Sequence, residues 1–239
     1  MTDPVTGPSG PDQGGVVDEV LRAAVVDLLD RADAAADGPG TGILPIVQAG
    51  APVLRAVAAP YTGQLGDVLP RVVEAMRRTM HAAPGVGLAA PQIGLGLAIA
   101  VVEDAGAQAD DPRERTPLPF RVLVDPRYEP VPGPDGEPER AAFHEGCLSV
   151  HGWQAVVARY RRVRLTGRDE TGAPIDEVLT GWPARIAQHE TDHLAGELYL
   201  DHARLRTLTS NENLVRYGPV ADQGVDDRGV ADPGIVDQG

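Results

Sequence analysis

The strongest chemical signal in the chain is a pair of histidines, His189 and His193, in the run Gln188-His189-Glu190-Thr191-Asp192-His193. A spacing of four is about one helical turn, so on a helix both rings project from one face. Two imidazoles so placed can hold one metal ion. A glutamate directly after the first, Glu190, can act on water that the ion activates. The plainer reading is a polar helix face with surface histidines. The complete local pattern and the apolar flanks weigh against it. A catalytic site needs a third protein ligand and an open position. Cys147, the sole cysteine, stands in Glu145-Gly146-Cys147-Leu148-Ser149, which follows an expected loop, and has no disulfide partner. A lone cysteine is usually an inert buried group; beside a helical histidine pair it becomes the best third ligand, because a thiol next to a metal is deprotonated. A third segment runs Gly85-Val86-Gly87-Leu88-Ala89-Ala90-Pro91-Gln92-Ile93-Gly94. Its small residues let backbone approach a ligand closely, and the Gln92 amide could stabilise a developing oxyanion. It lacks the Lys-Ser/Thr of a P-loop and the spacing of a dinucleotide fingerprint. By itself a tight packing turn is its default reading.

Several elements must bring these segments together. The histidine pair falls on a helix expected from about Pro183 to Ala195, with Thr180 able to cap its start, Pro183 in its first turn and Gly196 at its end. A second helix is expected from about Pro70 to His81, with Val72, Val73, Met76 and Met80 on one face. Leu95 to Val102 and Phe120 to Val124 read as buried strands, and Val156 to Thr166 as one half-exposed strand alternating Arg with Val or Leu. Asp169 to Gly172 is a turn that leads into a short strand ending at Leu179. Strands and helices mix without a regular βαβ rhythm, which argues for α+β with antiparallel pairing.

Outside this region the chain changes character. Residues 16–36 form an expected amphipathic helix carrying Val17, Val20, Leu21, Ala24, Val25, Leu28 and Leu29, either packed on the domain or binding a partner. Residues 38–42 read as a linker. From Val220 four five-residue copies, each with Asp third and Gly fifth, form a low-complexity tail that is expected to be disordered. The organisation is therefore an N-terminal extension (1–42), a catalytic domain (43–212) and an acidic tail (213–239). The net charge is −14, and every basic residue is Arg. Such an acidic chain does not suit nucleic-acid binding, which needs a basic stripe. No apolar run approaches a membrane span, and the start lacks a signal or transit peptide. One cysteine excludes an internal disulfide framework. A reducing cytoplasm is the expected location.

Taken in order, the three motifs resemble the peptide deformylase family, which is marked by G-x-G-[LIM]-A-A-x-Q, E-G-C-[LM]-S and H-E-x-D-H. They stand here as Gly85 to Gln92, Glu145 to Ser149 and His189 to His193, within a resemblance running from about Ile43 to Asp201. The resemblance implies an α+β fold of antiparallel β-sheets packed around a central metal-binding helix, with an additional N-terminal helix in this chain. It implies that Cys147, His189 and His193 bind one divalent metal, Fe²⁺ first, with Zn²⁺, Ni²⁺ or Co²⁺ able to replace it. It implies removal of the N-formyl group from the terminal methionine of nascent polypeptides, with Glu190 as general base then acid. Gln92 and the Leu148 backbone N–H would serve the oxyanion. Val86, Leu148, Ile186 and His189 would wall the methionine pocket, with the Val86 and Gly87 backbone pairing to the peptide like an added strand. Asp192 would orient a ligand histidine or lie at the surface, and Glu145 with Arg159 would steady the cysteine loop. The ribosome is a further candidate partner.

The chain departs from the family pattern at three points. His151 stands where Pro is common, Asp125-Pro126 where Asn-Pro is frequent, and Trp182 where Phe or Tyr is frequent. Two other readings stay open. One is a zinc peptidase with a downstream ligand from Glu197, Asp201 or His202. The other is a non-catalytic relative that acts as a binding protein.

Overall fold

The computed structural model describes residues 16–34, 42–107 and 111–219. Among the described residues eight strands make two antiparallel sheets. The larger has the order β1-β2-β3-β6-β7, from Gly87–Ala89 (β1), Ile99–Asp104 (β2), Leu118–Pro130 (β3), Arg162–Arg168 (β6) and Pro174–Thr180 (β7). The smaller has the order β4-β5-β8, from Arg140–Cys147 (β4), Val150–Tyr160 (β5) and Ala203–Ser210 (β8). The helices are α1 (Glu19–Ala34), α2 (Leu69–Ala82), α3 (Gly181–Leu194), α4 (Tyr199–His202) and α5 (Asn211–Tyr217).

Period-two alternation explains how the larger sheet is covered. Successive side chains of a strand face opposite ways. Leu88, Ile99, Val101, Val122 and Val124 go to a core shared with Val72, Met76 and Met80 of α2. Their alternates Ala89, Ala100, Val102 and Leu123 go to a second core with Ile186, Ala187 and Leu194 of α3. A sheet buried on both faces needs the continuous apolar run that β2 shows. Helix α3 thus lies between this sheet and β5 of the smaller one. The expected helix-centred antiparallel architecture is present.

Helix α1 lies against α2 through Val25 and Leu29. Asp18 accepts from the Leu21 N–H at 3.0 Å, capping the helix start, and Arg71 of α2 reaches Asp30 and Asp33. Val20, expected on the apolar face, is 83% exposed. Five residues before Val25 is about 140° round the helix, well off the contact seam.

Three expectations need correction. Val156 to Thr166 is not one strand: the chain breaks at Arg161, and its halves, β5 and β6, belong to different sheets. The Arg161 guanidinium is taken by Glu114 and Glu139 at the break. The segment before Cys147, expected as a loop, is strand β4. The boundary at residue 213 cuts through α5, whose Ser210 cap accepts from the Asn213 N–H at 3.2 Å. The repeats from Val220, residues 1–15 and most of the 38–42 linker lie outside the described residues.

Candidate metal centre

Helix α3 starts at Thr180, whose extended backbone supplies no side-chain cap, contrary to expectation. Gly181 makes the turn instead, at φ 64°. At the other end Gly196 has φ 82°, and a Cβ there would lie 2.8 Å from the Arg55 carbonyl oxygen. Only glycine suits that left-handed position and close approach. Between these ends His189 and His193 stack edge-on, ring centres 4.9 Å apart.

Cys147 reaches them from a hairpin. It pairs with Val150 after a register shift, so Leu148 and Ser149 form the loop. The sulfur lies 3.2 Å from His193 Nε2. One donor atom each from Cys147, His189 and His193 falls within 4.8 Å of the others. The Ser149 N–H and Gln92 Nε2 face the sulfur at 3.4 and 3.5 Å. Gln92 is buried, and its Oε1 accepts from the Ala89 N–H at 2.8 Å, which turns its Nε2 toward the sulfur and toward Ser149 Oγ at 3.3 Å. A thiolate and two imidazoles, converging inside a folded core, fit one divalent ion.

A buried charge network stands behind these three side chains. Glu145 Oε2 faces His189 Nδ1 at 3.2 Å, leaving the other ring nitrogen for an ion. Arg159 grips both Glu145 oxygens at 2.9 and 3.0 Å, and Arg185 takes Oε1 as well. Burial alone would push the Glu145 carboxyl up; the two guanidiniums and His189 overcome this and hold it well below the usual range. Asp192 accepts from the Tyr128 hydroxyl at 3.0 Å and from Arg159. It therefore reaches the site through Arg159, and Glu145 is the group that orients His189. Sequence reasoning missed Arg185 and Tyr128. Arg185 carried a usable signal, an arginine one turn before His189 on a largely apolar helix.

Burial keeps His193 well below its ordinary pKa, hence neutral. For His189 burial also opposes charge, but Cys147 and Glu145 outweigh it and raise the imidazole well above its ordinary value. Glu190 is buried, and its Oε2 has no hydrogen-bond partner among the described residues. Burial pushes its carboxyl up to about 7, against the pull of His189 and Arg159. Gly87 makes this arrangement possible, since a Cβ there would lie 2.1 Å from Glu190 Oε1.

These groups open on a cavity of about 830 Å³ that is also lined by Val86, Gly87, Leu148, Trp182 and Ile186. Strand β1 is the edge of its sheet. The Val86 carbonyl, expected to pair with the peptide, instead accepts from the Glu103 N–H at 3.0 Å. Alternation along an antiparallel pair then turns the Gly87 N–H and C=O to the open side.

Residues 43–208 match the family model described as polypeptide deformylase. The chain belongs to that family. Deformylases use a single catalytic metal, and the chain is an enzyme of this kind. A peptide deformylase of Streptomyces avermitilis is 62% identical over 197 residues, covering 80% of this chain and 84% of that one. One from Bifidobacterium adolescentis is 54% identical, covering 72% and 79%. Among solved structures, a deformylase of Acinetobacter baumannii with Met-Ala-Ser bound superposes with TM-score 0.58 at 31% identity, covering 67% of this chain and 98% of that one. A Synechococcus elongatus deformylase in complex with actinonin gives 0.57 at 33%, covering 74% and 87%.

Proposed function

We propose that Cys147, His189 and His193 hold the catalytic ion, and that Glu190, Gln92 and Leu148 perform the proton and oxyanion chemistry beside it. The reaction is hydrolysis of the N-formyl group from the terminal methionine of a newly synthesised polypeptide, giving formate and a free amine. The observation that carries the residue assignment is the convergence of one sulfur and two imidazoles from chain-distant segments, with an unpartnered buried carboxylate beside them. We assign Fe²⁺ to the site; the donor set also suits Zn²⁺, Ni²⁺ and Co²⁺.

When bound, the ion supplies Lewis-acid chemistry that polarises the formyl carbonyl and acidifies water. Glu190 would take the proton from the attacking water. Its carboxyl, buried and with Oε2 unpartnered among the described residues, would carry that proton to the departing amine. Gln92 Nε2 and the Leu148 N–H donate to the oxyanion; losing one such donor typically costs about 2.7–4 kcal/mol. The Gly87 backbone, on a free sheet edge, pairs with the peptide, and main-chain pairing accepts many sequences. Val86, Ile186 and Leu148 close around the methionine side chain.

The catalytic unit starts near residue 43 and runs through α5 to Tyr217, a little beyond the family match over 43–208. We place the enzyme in the cytoplasm, acting on chains as they leave the ribosome. Among the described residues no helix is long and apolar enough to cross a membrane. The peptidase reading is disfavoured because the third donor that meets the histidine pair is the Cys147 sulfur, while His202 pairs with Glu197 at 2.7 Å and with Asp192 at 3.4 Å, and Asp201 pairs with Arg55. Protein loaded anaerobically with Fe²⁺ is expected to release formate from formyl-Met-Ala-Ser. Absence of formate overturns the assignment.

A further inference from the structure

Three consecutive residues tie the two loops of the metal centre together. The Val47 N–H donates to the Gln92 carbonyl at 2.9 Å, and the Ala49 N–H to the Ser149 carbonyl at 2.7 Å. Any residue can make these backbone bonds. Gln48 between them makes bonds that depend on its side chain. Its Nε2 donates to the Leu148 carbonyl at 3.0 Å and more weakly to the Ile46 carbonyl at 3.3 Å, while its Oε1 accepts from the His151 N–H at 3.2 Å. Two carbonyls on one end and an N–H on the other fix which way the amide points.

The peptide that Gln48 grips has a second contact. It joins Leu148 to Ser149, and its N–H is the Ser149 N–H that faces Cys147 Sγ at 3.4 Å. A donor on the carbonyl of a peptide polarises that peptide and strengthens what its N–H gives. The chain of contacts therefore runs from Gln48 Nε2 through one peptide unit to the sulfur. The same grip limits rotation about Leu148, whose own N–H is an oxyanion donor in the reading above. Gln48 lines the rim of the cavity and is itself solvent-exposed, so replacing it leaves the core untouched.

We propose that Gln48 is a positioning residue for deformylation, holding the Leu148–Ser149 peptide so that its N–H stays on the Cys147 sulfur and the Leu148 N–H stays aimed at the oxyanion. This rests on Cys147 being a metal ligand and Leu148 an oxyanion donor.

The test compares Gln48→Met, which keeps the length and removes both polar ends, with the wild-type full chain. Both proteins are loaded with Co²⁺ for spectra and with Fe²⁺ for turnover of formyl-Met-Ala-Ser. The variant should lose about tenfold in kcat with KM held within about twofold, as expected for one exposed hydrogen bond acting mainly in the transition state. Its thiolate-to-Co²⁺ charge-transfer band should move to lower energy, because a sulfur with a weaker N–H contact gives up charge more easily. Gln48→Glu, which keeps an acceptor for His151 but cannot donate to Leu148, should behave like the methionine variant. A band and kcat both unchanged in Gln48→Met overturn the proposal, as does a loss confined to KM or a kcat loss with the band unmoved. A wild-type Co²⁺ protein with no thiolate band overturns the ligand reading, and the proposal with it.

Discussion

Glu190 is a carboxylate placed where water is largely excluded, and its position has consequences for both rate and stability. Glu190→Gln keeps the shape and removes the proton carrier. Its kcat should fall by about 10²–10⁴-fold while metal content stays at one per chain, checked by formate release and elemental analysis. The pH dependence of metal-free protein follows from the upward shift. A carboxyl whose folded pKa is raised binds a proton more tightly folded than unfolded, so it costs nothing below the ordinary carboxylate range. Stability is then lost as pH rises toward about 7. Metal-free Glu190→Gln should therefore gain on wild type between pH 5 and pH 8 by up to roughly 3 kcal/mol, read from urea midpoints. A gain that shrinks with rising pH contradicts the assignment. The Gly87 contact gives an independent check. Gly87→Ala puts a methyl group where Glu190 Oε1 sits, and the carboxylate must move. Activity should fall by at least about 100-fold, since about an ångström of misplacement costs that much, while the fold persists.

Helix α3 depends on its C-terminal turn. Gly196→Ala demands a left-handed alanine against the Arg55 carbonyl, and should cost about 1–3 kcal/mol in chemical denaturation. How much could be read in advance differs from element to element. Helices α2 and α3 were legible because each repeats apolar residues on one face and ends in glycine or at Pro84-Gly85. Strand β2 was legible as a short apolar run. The β5–β6 break was not, because Arg alternating with an apolar or aromatic residue runs on either side of it and only the Arg161-Arg162 doublet marks the one-residue slip in phase. At the break Arg161 pairs with Glu114 and Glu139 across the fold, and those partners cannot be read from the local pattern. The three motifs were legible at the metal centre for the opposite reason: catalysis fixes residue type at fixed spacing. Gln48 and Tyr128 were hidden because nothing local marks a Gln or a Tyr that meets its partner across the fold.

At the scale of the whole chain, charge and organisation diverge. Of the fourteen excess negative charges, nine sit in residues 1–42 and 213–239, and the deformylase match spans 43–208. The last described helix ends at Tyr217. A chain ended after Gly218 loses five Asp and one Arg, moving the net charge from −14 to −10. Its kcat/KM for formyl-Met-Ala-Ser should stay within about twofold of the full chain, because no group of the metal centre is removed. A large loss would show that the repeats act in catalysis. The convergence of Cys147, His189 and His193 on one ion is the claim from which every role above follows. X-ray absorption at the metal edge of the loaded full-length protein tests it most directly. The predicted first shell holds one sulfur near about 2.3 Å and two imidazole nitrogens near about 2.0–2.1 Å, distances typical of such ligands on Zn²⁺, and the sulfur vanishes in Cys147→Ala. A wild-type shell built of nitrogen and oxygen alone would contradict it.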